Sequence, residues 1–288
     1  MSIGLSDAAS IFRALADPVR LRLLALCARG AHPVGDLVIA TEVSQPRVSQ
    51  QLKVLTGAQL VERFRDGQFV YYRLARNTPN GVLAGRLLAG LLTDSDELEV
   101  DLARLRRHSG DDVSSASDDR SLNRAVLDCL MGRSVGRLLD IGSGEARMLS
   151  LLSADANEAI GVDLDADARR QARRRLGVAG LANCFIHTAR IESLPFDDQH
   201  FDTVIIDDVL RQTDELAVAL GEASRVLNPA GLLLIIERGA ANRGLRIEQI
   251  GRVAAGLGLR LAPPRAVPGG EQGWWLTTGG VVPARLAS

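Results

Sequence analysis

Residues 138–144, Leu-Leu-Asp-Ile-Gly-Ser-Gly, join a short apolar run to two closely spaced glycines. An apolar run of this length is typical of a buried strand in a parallel sheet. Gly142 and Gly144 allow the backbone to approach a ligand closely where the next helix begins, and the amino end of a helix favours polar, electron-rich groups. The stretch therefore predicts a ligand-binding turn at the end of a first strand.

A carboxylate in the next apolar run supports a nucleoside as that ligand. Asp163 follows Gly144 by 19 residues, at the end of a predicted second strand. A carboxylate in this place can accept hydrogen bonds from ribose hydroxyls. Position 147 holds arginine where the dinucleotide fingerprint has its third glycine. This difference favours a mononucleoside ligand over NAD or FAD.

Further apolar runs alternate with helical patterns from about residue 120 onward, which predicts βαβ units. The expected fold is an α/β Rossmann-like fold, with a mostly parallel sheet and an antiparallel edge strand. The predicted strands cover residues 137–141, 158–162, 184–188, 203–206 and 232–237, followed by a pair at about 259–267 and 273–278.

Residues 44–73 carry a different pattern, which belongs to a mainly α domain. A fourth helix over about residues 45–55, with Ser44 as its cap, buries Val48, Leu52 and Leu55 at helical spacing. Its outer face carries side chains that hydrogen-bond base edges or meet phosphates. We expect this face to bind DNA through Ser44, Gln45, Arg47, Ser49, Gln50 and Lys53.

A hairpin after this helix completes the pattern of a winged helix–turn–helix. Asp66-Gly67 is a strong two-residue hairpin signal between alternating apolar and polar residues. The hairpin carries Arg63, Arg65 and Arg73, which we expect to reach the DNA backbone. Helix–turn–helix and basic wing in this order favour double-stranded operator DNA as the partner.

Composition and charge agree with a two-domain protein. The 288 residues have a net charge of −1, but residues 1–78 hold ten Lys+Arg against six Asp+Glu, a balance of +4. The predicted domains are 1–92 for DNA binding and dimerisation, 93–119 as a helical and flexible linker, and 120–288 for the α/β fold. The polar, acidic stretch 108–119 marks the linker.

Cysteine usage and hydropathy predict a cytoplasmic location. Three dispersed cysteines, Cys27, Cys129 and Cys184, argue against a disulfide framework and against a zinc cluster. No apolar run reaches the roughly 18 residues of a membrane span, and the first residues do not resemble a signal peptide. We expect no metal site and no membrane contact.

The N-terminal segment resembles the ArsR family of winged helix–turn–helix repressors over about residues 5–92. The matching stretches are 15–24, 43–55 and 66–74. The resemblance implies a homodimer formed through the first helix and a helix near 80–92, with the fourth helix in the major groove. Metal sensing in this family needs thiolate or imidazole ligands. Residues 31–36 lack cysteine and residues 79–107 lack histidine, so we expect His32 to be a surface or capping residue.

The second segment resembles class I S-adenosylmethionine-dependent methyltransferases over about residues 120–280. The matching stretches are 139–144, 161–165, 191–204 and 222–236. The resemblance implies S-adenosylmethionine or S-adenosylhomocysteine as the ligand. It assigns Asp140, Gly142 and Gly144 to the methionine end, Asp163 to ribose, and Leu164 to the adenine face. Arg190 and Ile191 fall at the adenine edge, and Asp207 falls near the reacting end.

The segment also departs from that family at positions that matter for catalysis. Ala189-Arg190 replaces the usual Gly-Asp, whose carboxylate accepts from the adenine amino group, and arginine is only a donor. Asp208-Val-Leu-Arg-Gln212 stands where relatives carry a histidine or aromatic pair. Residues 109–136, where a lid is usual, hold no aromatic side chain. Whether the domain transfers a methyl group stays open.

Three functions follow from these patterns. The first is a DNA-binding transcriptional regulator, most simply a repressor, whose second domain binds the nucleoside as effector. The second is an active methyltransferase with a regulatory DNA-binding domain. In the third, the pocket is vestigial and the second domain is a scaffold for dimerisation or a partner protein. An intact DNA reader beside an altered catalytic site favours the first.

Overall fold

The computed structural model describes residues 5–66, 69–91, 95–109, 118–238, 243–267 and 273–281. The chain forms two compact units, Met1–Asp112 with Arg170–Ala182, and Val113–Arg169 with Asn183–Ser288. Gly67 of the predicted turn lies outside the described residues, as do residue 92 of the predicted first domain and residues 93–94 and 110–117 of the predicted linker.

Helices dominate the first unit. Asp17 accepts a hydrogen bond from the Arg20 backbone N–H at 3.0 Å, and Pro18 occupies the first helical position, so the second helix begins there. Leu23, Leu37 and Leu52 are among the fully buried residues of its core. The helices are α1 (Leu5–Leu15), α2 (Pro18–Arg29), α3 (Val34–Thr41), α4 (Gln45–Gly57), α5 (Pro79–Leu91) and α6 (Asp96–Ser109).

A small antiparallel sheet forms the wing of the first unit. Strand β3 (Phe69–Leu74) lies between β1 (His32–Pro33) and β2 (Val61–Asp66). Phe64 stacks on Tyr71 across the β2–β3 pair, with ring centroids 5.5 Å apart. His32 pairs with Tyr72 and is buried, so the expectation that it is a surface or capping residue is wrong.

Helix α6 packs into the first unit. Leu98, Leu102 and Leu105 follow one another at helical spacing and are buried in the first core. The guanidinium of Arg22 binds the carboxylate of Asp101, which has no exposed surface, with Nε 2.8 Å from Oδ2. A buried carboxylate with a bidentate arginine partner holds α6 against α2.

Residues 170–182 are also part of the first unit. Arg173 forms an ion pair with Asp66, and Arg174 binds both oxygens of Asp36 at 2.8 and 3.0 Å. Both acids have little exposed surface, so the two arginines are held by internal ion pairs.

A mixed sheet forms the centre of the second unit, in the order β10-β11-β8-β7-β4-β5-β6, with β9 paired to β11. Strands β4, β5, β6, β7 and β8 run parallel, whereas β11 runs antiparallel to β8, β9 and β10. The strands are β4 (Gly136–Ile141), β5 (Ala156–Asp163), β6 (Cys184–Thr188), β7 (Phe201–Asp207), β8 (Leu227–Arg238), β9 (Leu259–Leu261), β10 (Arg265–Val267) and β11 (Trp274–Val281).

Helices α8 (Arg147–Leu152), α9 (Ala166–Val178) and α10 (Leu216–Val226) connect successive parallel strands, whereas residues 189–200 between β6 and β7 contain no helix. Helix α7 (Asp118–Leu130) precedes β4, α11 (Arg243–Gly256) follows β8, and a 3₁₀ turn covers Leu210–Gln212. A helical unit with a wing followed by a mostly parallel α/β sheet confirms the predicted fold class. No helix in the described part of the chain is both long and apolar enough to cross a bilayer.

Candidate functional site

The outer face of α4 presents polar side chains to solvent. Val48, Leu52 and Leu55 are fully buried, and this anchors the opposite face of the helix in the core. Ser44 lies at the cap position but its side chain makes no capping hydrogen bond, so that part of the prediction is wrong. All six residues predicted on this face are exposed: Ser44, Gln45, Arg47, Ser49, Gln50 and Lys53.

Gln51 is less exposed than Gln45 and Gln50, the other two glutamines of this helix. Its Oε1 accepts a hydrogen bond from Arg20 at 3.0 Å, and the residue is half-buried. Gln45 and Gln50 are exposed on the other side of the same helix. Amides held away from internal partners keep their donors and acceptors for base edges.

The three wing arginines differ from one another. Arg63 and Arg65 alternate on β2 and are exposed, and neither forms an ion pair with another described residue. Arg73 on β3 instead pairs with Glu62 at 2.6 Å and lies over the Phe64 ring at 5.1 Å. Contact of Arg73 with a phosphate would have to open that ion pair.

A second candidate site is a cavity of about 320 Å³ in the second unit, where β4, β5 and β7 end. Carboxyl ends of neighbouring parallel strands are the usual place for ligands in open α/β sheets. Six of the predicted nucleoside residues line it: Gly142, Asp163, Leu164, Arg190, Ile191 and Asp207. Residues not predicted also line it: Ile141, Val162, Asp165, Ala168, Ala189, Glu192, Val209, Gln212 and Thr213.

The glycine turn is built by conformations that favour glycine. Gly142 has φ of 77° and Gly144 has φ of 49°. A Cβ on Gly142 would lie 2.8 Å from the carbonyl oxygen of Asp207, too close for any side chain. The Gly144 N–H donates to Asp163 Oδ2 at 2.8 Å, and the Asp165 N–H donates to Asp163 Oδ1 at 2.8 Å. These bonds fix the Asp163 carboxylate at the mouth of the turn.

Two polar side chains beside the turn are buried without a hydrogen-bond partner. Asp140 has no exposed surface, and neither carboxylate oxygen has a partner among the described residues. The hydroxyl of Ser143 is also buried and has no hydrogen-bond partner among the described residues. Burial, and secondarily the charge of Asp207, raises the pKa of Asp140 well above its usual range. Unpaired buried carboxylates are costly, so this position fits a cationic group such as an ammonium.

The opposite side of the turn holds a charged pair. Arg147 lies 3.3 Å from Asp207 Oδ2 and 5.3 Å from the ring centre of Trp274. Burial is the main cause that raises the pKa of Asp207, and Arg147 opposes that rise. Asp207 is therefore a carboxylate at the edge of the cavity that already has a cationic partner.

Two charged residues of the cavity, Arg190 and Glu192, differ in exposure. The Arg190 side chain is 65% exposed, and its Nε lies 3.4 Å from Glu192 Oε2. Glu192 is only 15% exposed and accepts a hydrogen bond from Thr213 Oγ1 at 2.6 Å. This hydroxyl is the first cause that lowers the pKa of Glu192. Ile191 is buried between them.

Sequence reasoning missed Glu192 and Thr213. Glu192 lies inside one of the stretches quoted for the resemblance, but no spacing marked it as a ligand residue. Thr213 follows the fourth parallel strand by a short connection that contains a 3₁₀ turn. Among the described residues, no group of three or more His, Cys, Asp or Glu side chains could hold a metal ion.

Comparison with known proteins separates the same two segments. Residues 17–63 match the bacterial regulatory protein arsR family, and residues 139–235 match a methyltransferase domain family. A transcriptional repressor SmtB homolog of Synechocystis sp. is 49% identical over 69 residues, which cover 24% of this chain and 52% of that protein. The ubiquinone/menaquinone biosynthesis C-methyltransferase UbiE of Yersinia enterocolitica is 32% identical over 130 residues, covering 44% and 52%.

The fold comparison agrees with the second segment. The YcgJ protein of Bacillus subtilis superposes with a TM-score of 0.50 at 16% identity, covering 57% of this chain and all of that one. The chain spans about half the length of the curated relatives it matches. It therefore carries an ArsR-family helix–turn–helix segment and a class I methyltransferase domain segment.

Proposed function

We propose that this protein is a transcriptional regulator whose methyltransferase domain binds S-adenosylmethionine or S-adenosylhomocysteine as an effector. The observation that supports ligand binding is the buried, unpartnered carboxylate of Asp140 beside the glycine turn. The ammonium of the ligand's amino-acid part would supply the missing partner. Asp163 would accept from ribose hydroxyls, and Leu164 and Ile191 would pack on the base.

Control by a ligand requires that the ligand bind two states of the protein with different affinity. In this proposal the first unit binds operator DNA as a homodimer in the cytoplasm. Its α4 lies in the major groove, and Arg63 and Arg65 meet the DNA backbone. Ligand occupancy of the second unit shifts the fraction of protein bound to the operator.

An effector role rather than catalysis is favoured by the partners of the acids near the cavity. Asp207 is paired with Arg147, and Asp208 accepts from the Arg238 backbone N–H at 3.0 Å and pairs with Arg211. A general base must be within reach of the proton it removes and have acceptor capacity for it. Both acids are already engaged by internal donors.

An active methyltransferase is the second candidate, and the raised pKa of Asp207 favours it. A carboxylate of increased basicity at the reacting end suits proton abstraction. Methyl transfer to an acceptor that is already nucleophilic needs only positioning. Formation of S-adenosylhomocysteine from S-adenosylmethionine in the presence of a cell extract would identify this activity.

The test of the proposed function has two steps. Isothermal titration of the full chain with each nucleoside measures binding, and we expect a single site per chain for at least one of them. Operator fragments selected from genomic DNA are then titrated with and without saturating ligand, and we expect operator affinity to change at least fivefold. Binding without any change in operator affinity would exclude the effector role.

A further inference from the structure

The base end of the cavity in the second unit lacks the acceptor that relatives place at position 190. Adenine is distinguished from other purines by its exocyclic amino group, which donates hydrogen bonds. Arg190 offers only donors, and its side chain is 65% exposed. A site that kept adenine would need its acceptor from another residue.

Glu192 is the acidic side chain in the right place for that task. We infer that Glu192 accepts the hydrogen bond of the adenine amino group and so makes the site selective for 6-amino over 6-oxo purine nucleosides. This inference rests on the proposed function and specifies how the base is recognised. Glu192 lines the same cavity as Leu164 and Ile191, the two residues assigned to the base.

The geometry leaves acceptor capacity on this carboxylate. Thr213 Oγ1 donates to Oε1 at 2.6 Å, and Arg190 Nε lies 3.4 Å from Oε2. A carboxylate has about four lone-pair positions, so these two side chains and the backbone N–H of Glu192 do not saturate it. The Thr213 hydroxyl also lowers the pKa of Glu192, which keeps the group ionised and unable to donate.

Other polar groups of the cavity have internal contacts of their own. Asp163 accepts from two backbone N–H groups at the glycine turn. Asp165 accepts from the Asp167 backbone N–H at 2.8 Å. The Gln212 amide donates to the Asp208 carbonyl oxygen at 3.5 Å. Glu192 directly follows Ile191, a residue assigned to the base, whereas Asp163 at the end of β5 is the residue assigned to ribose.

Charge explains why a 6-oxo purine would be rejected. Its oxygen would face an ionised carboxylate with no proton between them, and both groups would lose hydrogen bonds to water. Sites that hydrogen-bond a polar group of the substrate discriminate strongly against analogues that cannot form the bond. Arg190, on the solvent side of Glu192, balances the charge of the carboxylate.

Paired ligands test the inference directly. S-adenosylhomocysteine and S-inosylhomocysteine differ at the purine 6-substituent and the adjoining N1 protonation, and isothermal titration of the full chain measures both. We expect the unchanged protein to prefer the adenosyl compound by about 10- to 100-fold, the range of one charge-assisted hydrogen bond. Glu192→Ala should reduce that preference to within about threefold.

Matched variants separate recognition from general damage. Asp197→Ala removes an exposed acid that is not among the residues lining the cavity and should keep the preference for the adenosyl compound. Glu192→Gln retains the shape, and its amide can donate to a 6-oxo group, so binding of the inosyl compound should improve. Far-UV circular dichroism of each variant confirms folding, and the Gln variant serves if the Ala variant does not fold.

The outcomes of these titrations distinguish failure of the inference from failure of the proposed function. Equal binding of both nucleosides by the unchanged protein overturns the inference while the proposed function stands. Retention of the preference in Glu192→Ala and Glu192→Gln overturns it as well. Binding of neither nucleoside overturns the proposed function and removes the inference with it.

Discussion

Polar side chains are exposed on the outer face of α4 but buried beside the glycine turn of the second unit. Arg47, Gln50 and Lys53 are exposed and solvated, so they cost the first unit little before DNA arrives. Asp140 and Ser143 are buried in the second unit with no hydrogen-bond partner, so they carry a desolvation cost. The surface site therefore offers side chains that are already solvated, whereas the buried site offers side chains that lack a hydrogen-bond partner.

This difference predicts opposite responses to substitution. Truncating a side chain on α4 should weaken DNA binding and leave folding almost unchanged, because no internal contact is lost. Removing the buried charge at the glycine turn should weaken ligand binding and leave the unliganded fold as stable or more so. Four measurements test this difference, and they are given in decreasing order of expected effect.

Asp140→Asn should produce the largest effect. Loss of the buried charge should weaken binding of S-adenosylhomocysteine by about 2–5 kcal/mol, the range for truncating one partner of a buried charge pair. The unfolding temperature without ligand should not fall, because an unpaired carboxylate has been replaced by a neutral amide. Isothermal titration and thermal unfolding measure the two quantities.

The control for this substitution is Asp155→Asn, an exposed acid of the same unit. Ligand affinity of the unchanged protein should also fall as the pH is lowered, because a protonated Asp140, whose pKa is raised, must lose its proton to pair with the ammonium. Unchanged affinity in Asp140→Asn would refute the assigned role.

Arg47→Ala and Gln50→Ala test the other side of the comparison. Each should weaken operator binding by about 1–3 kcal/mol if it makes a bidentate base contact. Ligand binding by the second unit should stay within twofold. Gel-shift titration at fixed salt measures operator affinity, with Val54→Ala, an exposed apolar residue of the same helix, as the control. Equal losses for specific and random DNA would assign these residues to backbone contacts.

The pH dependence of stability should have opposite signs at two buried groups. Burial lowers the pKa of His32, so the unfolded imidazole binds a proton below its ordinary pKa of 6.5 while the folded one does not. Stability of the first unit should therefore fall as the pH drops below about 6.5, by up to ~1.4 kcal/mol per pH unit. Asp36 opposes this effect in part.

Burial raises the pKa of Asp140, so its contribution is present at low pH and is lost as the pH rises above the ordinary value of 3.8. Hydrogen exchange of amides in α3 and β4 across the pH range reports the two units separately. His32→Gln should flatten the acid-side slope in α3 alone. A slope that survives in this variant would show that another group causes it.

The smallest effect concerns the wing. Arg65→Ala should lower the salt dependence of DNA binding by a slope of about 0.9, the value for one lost phosphate contact. Arg73→Ala should change that slope less, because Arg73 is held by Glu62 at 2.6 Å. Binding measured at several salt concentrations decides between them. Equal slopes for the two variants would show that the ion pair opens on DNA.

Local patterns predicted the parts of the molecule that local forces build. The spacing of Val48, Leu52 and Leu55 indicated which face of α4 would be exposed, because a helix of 3.6 residues per turn keeps those positions on one side. The glycines at 142 and 144 indicated the turn, since positive φ values favour glycine. Alternation of strands and helices predicted the mostly parallel sheet.

Other predictions failed, or lacked any signal, because the deciding partner is distant in sequence. His32 is buried because β1 pairs with β3, some forty residues further along the chain. Arg73 is held by Glu62, its neighbour across the hairpin. Ser44 does not cap α4 although its residue type suits a cap. Residue type alone indicates which interactions a side chain can form, and not which partner it contacts in the folded protein.

Residue type and short-range periodicity were enough to predict the two kinds of unit, the exposed face of α4 and the glycine turn. They could not predict that Asp140 is buried without a hydrogen-bond partner among the described residues, or that Glu192 is 15% exposed in the cavity that it lines together with the 65% exposed Arg190. The physical reason is that desolvation and hydrogen bonding depend on what packs around a group. The strands and loops that pack around these groups come together only when the sheet forms.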